Sequence, residues 1–207
     1  MNLDFSDNGT VAIHMKDHIK EAIELFEEIE KIDIQMSSPT NGRLFKVNNN
    51  AVPLKGKKKE VFYSVVAKVL FIMKRARPDM ELTNSFLCIR GSKSTKEDWE
   101  KLKCAMAFMK QTIDDMRIIG VDNLEELLVW IDSSHATCEN MRGHTSSSMS
   151  YGIGHVHSHA GVQKANTKSL TETEVIVTSE YIPYPMHMVN FMKEQGYPVK
   201  IILYQNN

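Results

Sequence analysis

The chain has 207 residues, of which 42% are hydrophobic and 25% are charged, so its length and composition allow one globular domain or two small ones. Its net charge of -1 excludes the global positive field of many nucleic-acid binders, and three separated cysteines without a CxxC pair argue against a disulfide framework or a zinc knuckle. No apolar run approaches the roughly 20 residues of a membrane span and no signal peptide is recognisable, so we expect a cytoplasmic or nuclear protein without membrane contact.

Helical spacing dominates the first half of the chain. A short strand from Val11 precedes an amphipathic helix, and a second helix is predicted at residues 60–75. The preceding run KGKKK at residues 55–59 is predicted to be part of a polar loop. A third helix follows Pro78, and a fourth begins at residues 94–97, whose spacing is that of a capping box.

Short apolar strands and turns predominate in the second half. Because a helical crossover returns the chain parallel to its partner strand, we expect three antiparallel strands joined by the last strand, which lies beside the strand of Asp132. The predicted strands are residues 116–119, 127–131, 148–153, 156 onward and 199–204. One predicted helix begins near residue 169, and another covers residues 186–194.

Two acidic side chains occupy positions where a cation site could form. Asp132 ends an apolar strand, where burial beside a second acid would bind a divalent cation. In the following helix, capping-box spacing predicts that Glu172 reaches back to Ser169, which leaves Glu174 about 200° further round the helix and free to face the sheet. An Asp at a strand end is usually an ordinary surface residue, so these positions alone assign no function.

Six short segments, distributed over nearly the whole chain, occur in a characteristic order. They are LDFS at 3–6, KRARPD at 74–79, EDWEKL at 97–102, IDSS at 131–134, MRGHTS at 141–146 and QKANTKSLTETE at 163–174. Together they resemble the Pol polyprotein of copia-type retrotransposons. The first three segments are similar to the region after the polymerase palm, and the last three are similar to the ribonuclease H domain of that family.

The resemblance implies a fold, a boundary and a site. It implies an α+β region over residues 1–115, helical and similar to the thumb or connection of a reverse transcriptase. It then implies an α/β region over residues 116–207, which is an incomplete ribonuclease H-like mixed sheet with helices. By this resemblance Asp132 and Glu174 are the catalytic and metal-binding acids, Mg²⁺ is the cofactor, and an RNA:DNA hybrid or duplex nucleic acid is the partner.

The departures from the family pattern argue against activity. The Tyr-x-Asp-Asp hairpin of the polymerase has no counterpart, and the third ribonuclease H acid of the family, in LYQDNQS, corresponds to Asn206. An Asn side chain is neutral, so two acids alone would have to hold two divalent cations. The remaining helices and last strand of the family come after this point, so we expect a truncated and catalytically inactive remnant.

Basic residues of the first half are candidates for contacts with a nucleic-acid backbone, as in the family's thumb, although cations in such positions are often simply solvated. These candidates are Lys57, Lys58, Lys59, Lys74, Arg75 and Arg77. Two other functions stay open from the sequence. One is a host-retained module that binds nucleic acid or a protein through a ribonuclease H-like sheet, and the other is an active ribonuclease whose gene model is cut short.

Overall fold

The computed structural model describes residues 1–48, 50–134 and 142–205 and is a mixed α/β structure with two sheets. The chain forms two units. One contains Met1–Asn2 and Ile13–Met116, and the other contains Leu3–Ala12 and the residues from Arg117 onward. The division after Met116 lies one residue from the boundary expected from the sequence, whereas Leu3–Ala12 groups with the second unit instead of the first.

The described part of the first unit is mainly helical. Its α-helices are α1 (Lys16–Glu27), α2 (Gly56–Met73), α3 (Glu81–Arg90) and α4 (Lys96–Gln111), and two short 3-10 helices, Pro78–Met80 and Gly91–Lys93, flank α3. No helix in the described ranges is both long enough and apolar enough to cross a membrane.

Helix α2 begins earlier than the sequence pattern predicted. Lys57, Lys58 and Lys59, which were predicted in a loop, occupy its first turn, and the helix ends at Met73. Lysine is a good helix former, and Gly56 adopts a φ of +53°, which glycine accepts without the steric cost of a side chain. The loop prediction for these three lysines is therefore wrong.

The N-terminus of α4 carries a capping box one residue later than predicted. Thr95 Oγ1 accepts the backbone N–H of Asp98, and Asp98 Oδ2 accepts the backbone N–H of Thr95 at 2.9 Å. The predicted cap at Ser94 is wrong because Thr95 is the last extended residue before the helix. Asp98 is buried, so this box is part of the interior and not only of the helix end.

The apolar core of the first unit is built from all four helices. Phe26 of α1 and Trp99 of α4 are both fully buried and stack with ring centroids 4.6 Å apart and planes 17° apart. Phe62 and Ile72 of α2 and Leu87 of α3 are also fully buried in this cluster. Because each such side chain contributes about 2 kcal/mol by burial, this cluster is the main source of stability in the unit.

Strands of the described chain form two four-stranded sheets. The strands are β1 (Asn2–Phe5), β2 (Val11–His14), β3 (Arg117–Val121), β4 (Glu126–Ser134), β5 (His144–Ser150), β6 (Gly152–Ile153), β7 (His157–Val162) and β8 (Lys200–Gln205). One sheet has the order β1-β2-β3-β6 and the other has the order β7-β5-β4-β8. The single strand predicted at residues 148–153 is wrong, because the chain changes sheet at Gly152, whose φ is +127°.

The pairing in the second sheet agrees with the crossover argument. β4 is antiparallel to β5, β5 is antiparallel to β7, and β8 lies parallel beside β4. The connection to β8 runs through α5 (Leu170–Tyr181) and α6 (Pro183–Glu194). The predicted position of the last strand beside the Asp132 strand is confirmed. Helix α6 begins at Pro183 and not at residue 186, since proline fits the first turn of a helix.

The two faces of β4 have different environments. Leu127, Val129 and Ile131 are buried and form a core cluster with Val177 and Tyr181 of α5. Successive side chains of a strand point to opposite faces, so Trp130 and Asp132 leave the sheet on the face that α5 does not cover. Both side chains are exposed, in agreement with this alternation.

A carboxylate in the first unit binds three donors that come from α2 and α4. Glu30 Oε2 accepts hydrogen bonds from Trp99 Nε1 at 2.8 Å and from Lys58 Nζ at 3.0 Å, and Glu30 Oε1 accepts one from Lys103 Nζ at 3.0 Å. Burial raises the pKa of Glu30, but the hydrogen bonds from Lys58, Lys103 and Trp99 outweigh burial and lower the pKa to about 2.

We predict that this carboxylate makes the stability of the first unit pH-dependent. The folded pKa of about 2 lies below the ordinary value of 4.5, so the stabilisation is present above pH 4.5 and is lost as the pH falls toward 2. Glu30→Gln should therefore unfold at lower denaturant concentration than the unchanged chain at neutral pH, and the difference should shrink as the pH falls below 4.5. Urea unfolding of both proteins across this range measures it, and a difference that does not vary with pH would contradict the assignment.

Candidate functional site

The face of the second sheet that α5 does not cover carries a cavity of about 400 Å³. The side chains that line it on this face come from three strands and are Trp130 and Asp132 of β4, Ser146 and Ser148 of β5, and Tyr204 of β8. In the strand register Ser148 and Tyr204 lie opposite Trp130, and Ser146 lies opposite Asp132. We refer to these five residues as the open face.

Aromatic rings form the apolar part of the open face. The rings of Trp130 and Tyr204 are stacked, with centroids 5.5 Å apart and planes 13° apart, and they are 36% and 47% exposed. The ring of His155 lies at 90° to Trp130 with its centroid 5.6 Å away. Burial, together with the charge of Arg117, lowers the pKa of His155, which favours the neutral form of this ring. The arrangement offers exposed aromatic surface beside a carboxylate.

Asp132 is the charged member of the open face. Its Oδ1 accepts the backbone N–H of Ser133 at 2.8 Å, and its side chain is exposed. The hydroxyl-bearing Ser146, directly opposite in the antiparallel pair, is exposed as well. Burial beside a second acid was the condition for a cation site at Asp132, and strand alternation instead directs this side chain away from the core that Ile131 enters.

Glu174 lies on α5, which covers the other face of β4. The buried residues of this helix are Thr173, Val177 and Tyr181, and Glu174, next to Thr173, is half-buried. Glu172 has the predicted structural role in a modified form: its Oε2 accepts the backbone N–H of Lys168 at 2.6 Å, while Ser169 Oγ accepts the N–H of Glu172. The capping carboxylate thus reaches one residue further back than predicted.

The acids that the resemblance assigned to Mg²⁺ are not part of a larger ligand cluster. The ranges 1–48, 50–134 and 142–205 contain no group of three or more His, Cys, Asp or Glu side chains able to hold a metal ion. Asp132 leaves β4 on the face that α5 does not cover, whereas Glu174 belongs to α5 itself. Asn206 lies outside the described residues. The magnesium assignment of Asp132 and Glu174 stays a prediction.

The three predicted nucleic-acid-binding lysines of α2 have partners within the first unit. Lys57 pairs with Glu28 at 3.0 Å, and Lys58 pairs with Glu30 at 3.0 Å and lies over the Trp99 ring. Lys59 instead donates to the backbone carbonyl of Ser92 at 3.3 Å, so its charge has a neutral partner. Of these three lysines, Lys59 is the one without a carboxylate partner in the described part of the chain.

The predicted basic residues after α2 are also engaged. Lys74 pairs with Glu81 at 2.6 Å, and Arg75 donates to the carbonyl of Phe71 and lies over its ring. Arg77 is only 2% exposed and binds Asp79 and Thr112. A buried, fully engaged guanidinium fixes the end of α2 against α4, so Arg77 has a structural role that the sequence pattern did not indicate.

Comparisons with known proteins add no relative. No family model, no curated protein and no solved structure matches the chain. The assignment of a function therefore depends on the sequence motifs and on the geometry of the open face and its surroundings.

The sequence pattern missed the aromatic part of this site. Trp130 and Asp132 are two residues apart in a predicted strand, and this spacing already places them on one face. Tyr204 lies in a strand that was expected to neighbour β4, but the register that brings its ring onto Trp130 comes only from the structure. A period-2 pattern that combines aromatic and acidic residues is the signal that could have indicated the site.

We predict that Asp132 contributes nothing measurable to folding. Asp132→Asn should change the free energy of unfolding by less than about 0.5 kcal/mol, because the side chain is exposed and away from the core. Asp98→Asn is the matched substitution at a buried acid, which binds Arg90 and caps α4, and it should cost about 2 kcal/mol. Chemical denaturation followed by circular dichroism measures both, and an equal loss in the two variants would show that Asp132 has a structural role.

Proposed function

We propose that the chain is derived from the Pol polyprotein of a copia-type retrotransposon and combines the end of its reverse transcriptase with part of its ribonuclease H domain. The observation that carries the proposal is the sheet β7-β5-β4-β8. Three antiparallel strands are joined there by a strand that returns through helices to lie parallel beside the strand of Asp132. This is the arrangement expected for a ribonuclease H-like sheet.

The positions of the motifs within this sheet give further support. IDSS at 131–134 forms the end of β4, and the last three residues of MRGHTS at 141–146 lie in β5. The SLTETE part of QKANTKSLTETE at 163–174 begins α5. The segments that resemble the family thus occupy successive elements of one sheet and its crossover helix. Segments that resembled the family only by chance would have no reason to lie in successive elements of one sheet.

We propose that this derivative does not hydrolyse RNA. In the family, two Mg²⁺ ions would supply the activated water and the stabilisation of the leaving oxygen. Here the position of the third acid carries the neutral side chain of Asn206. Asp132 is exposed on the open face, whereas Glu174 belongs to the helix that packs on the other face of β4. Mg²⁺ gives up its water ligands reluctantly, so two carboxylates without a third acid bind it weakly.

A second candidate function is a binding module that retains the sheet and uses the open face. The observation that favours it is the exposed stack of Trp130 and Tyr204 beside Asp132. Exposed aromatic rings bind unpaired bases by stacking, which contributes about 1–3 kcal/mol per base. Serine hydroxyls and a carboxylate next to the rings can accept hydrogen bonds from the amino groups of bases.

The expected result of a cleavage assay is that the purified chain leaves an RNA:DNA hybrid intact. A hybrid with end-labelled RNA is incubated with the protein and Mg²⁺ or Mn²⁺ and analysed on a denaturing gel. An active ribonuclease H serves as the control for the substrate. RNA cleavage that exceeds the background and disappears in Asp132→Asn would contradict the proposal of an inactive derivative.

Tryptophan fluorescence on the same samples separates the binding module from a remnant without binding. The chain has two tryptophans; Trp99 is fully buried and Trp130 is exposed, so a ligand on the open face changes the emission of Trp130. A change with single-stranded RNA that is absent in Trp130→Phe would support the module. Unchanged emission with both single-stranded RNA and hybrid at low salt, where electrostatic binding is strongest, would exclude it.

A further inference from the structure

A second cavity, of about 290 Å³, lies in the first unit between the segment before α2 and the N-terminus of α4. Its lining includes three basic side chains, Lys59 at the start of α2, Arg90 at the end of α3 and Lys93 in the short helix before α4. None of the described residues that line this cavity is acidic. It is therefore a concave site with a concentrated positive charge in a chain whose net charge is -1.

The charges at this cavity are only partly neutralised by their protein contacts. Lys59 Nζ donates to the carbonyl of Ser92 at 3.3 Å, which is a dipole and not a charge. Arg90 Nε binds Asp98 at 3.2 Å and its Nη2 donates to the carbonyl of Lys93 at 3.4 Å. The single carboxylate of Asp98 is shared with Lys101, which lies 3.7 Å away. A second carboxylate, that of Glu97, accepts a hydrogen bond from Asn48 of the cavity lining at 2.8 Å. Arg90, Lys59 and Lys93 still outnumber the carboxylates of Asp98 and Glu97.

Ser94 supplies an independent indication of a ligand. It lines the same cavity and is only 2% exposed. Its Oγ has no hydrogen-bond partner among the residues that the structure describes. A buried hydroxyl without a partner costs about 1–3 kcal/mol, and a phosphate oxygen that reached it from the cavity would remove that cost.

The walls of the cavity are held together by backbone hydrogen bonds. Leu54 N–H donates to the carbonyl of Ser94, and Lys96 N–H donates to the carbonyl of Val52, both at 2.9 Å. Pro53 and Thr95 form an isolated antiparallel bridge between these pairs. These bonds fix the backbone at Ser94 relative to the segment before α2, so this wall of the cavity is formed before a ligand arrives.

We propose that this cavity binds a phosphate group. Residues with ammonium, guanidinium and hydroxyl donors line it together, and phosphate oxygens accept charge-assisted hydrogen bonds from such groups strongly. The phosphate can be free or part of a nucleotide, because the recognised chemistry is the same. The site lies in the first unit and does not depend on the retrotransposon origin or on the open face.

The test is a titration of the full chain by two-dimensional amide NMR with inorganic phosphate, adenosine 5′-monophosphate and adenosine. We expect saturable shifts at the amides of residues 92–95 with the two phosphate-containing probes and no shifts there with adenosine. Tighter binding of the nucleotide than of inorganic phosphate would identify a nucleotide phosphate as the source, and equal affinity would identify the phosphate group alone as the determinant. Shifts with adenosine equal to those with the nucleotide, or none with phosphate, would overturn the proposal.

Matched variants connect the binding to the named donors. Lys59→Ala and Ser94→Ala should each weaken phosphate binding about tenfold, since each removes one hydrogen bond to a charged group. Lys68→Ala is the control on the same helix, because Lys68 pairs with Glu21 and does not line the cavity. Equal affinities of Lys59→Ala and Lys68→Ala would contradict the proposal. Circular dichroism verifies folding, and if Ser94→Ala is unfolded, the comparison of the two lysine variants decides.

Discussion

The alternation of side chains along β4 is the constraint on which the second unit depends. Leu127, Val129 and Ile131 enter the core beneath α5, and the two-residue period then requires Trp130 and Asp132 to leave on the opposite face. A shift of register by one residue would bury a carboxylate and expose three aliphatic side chains, at a cost of several kcal/mol. Burial of these three aliphatic side chains fixes the orientation of β4 and therefore also the direction in which Trp130 and Asp132 point.

In the first unit, many lysine and arginine side chains bind other residues of the same unit. Lys58 and Lys103 bind Glu30 beneath Trp99, Lys74 binds Glu81, and Arg77 is buried against Thr112. Their charges are largely compensated, so a basic stretch in the sequence does not become a basic surface. Lys59 and Lys93, by contrast, line the cavity with Ser94, and no carboxylate within the described ranges pairs with either lysine. Internal pairing thus leaves these two lysines available to an anion at that cavity.

The sequence predicted those features that depend on local pattern or on chain topology. Helical spacing located α1, α2 and α4, and the crossover rule placed β8 parallel beside β4. The first residues of α2 and α4 were less well predicted. A helix can begin at either of two adjacent residues when both can adopt the required backbone angles, as at Ser94 and Thr95. The stack of Trp130 on Tyr204 and the unpartnered hydroxyl of Ser94 could not be predicted. They result from register and from packing between segments distant in sequence.

The central claim is that β4 lies between β5 and a parallel β8, with Trp130 and Tyr204 side by side on the open face. Nuclear Overhauser contacts between the backbones of β4 and β8 in the full chain test it most directly. We predict contacts in the parallel register that sets Val129 beside Leu203, together with ring contacts between Trp130 and Tyr204. Contacts in an antiparallel register, or contacts that pair β8 with β7, would contradict the fold, the open face and the proposed relation to a ribonuclease H-like sheet.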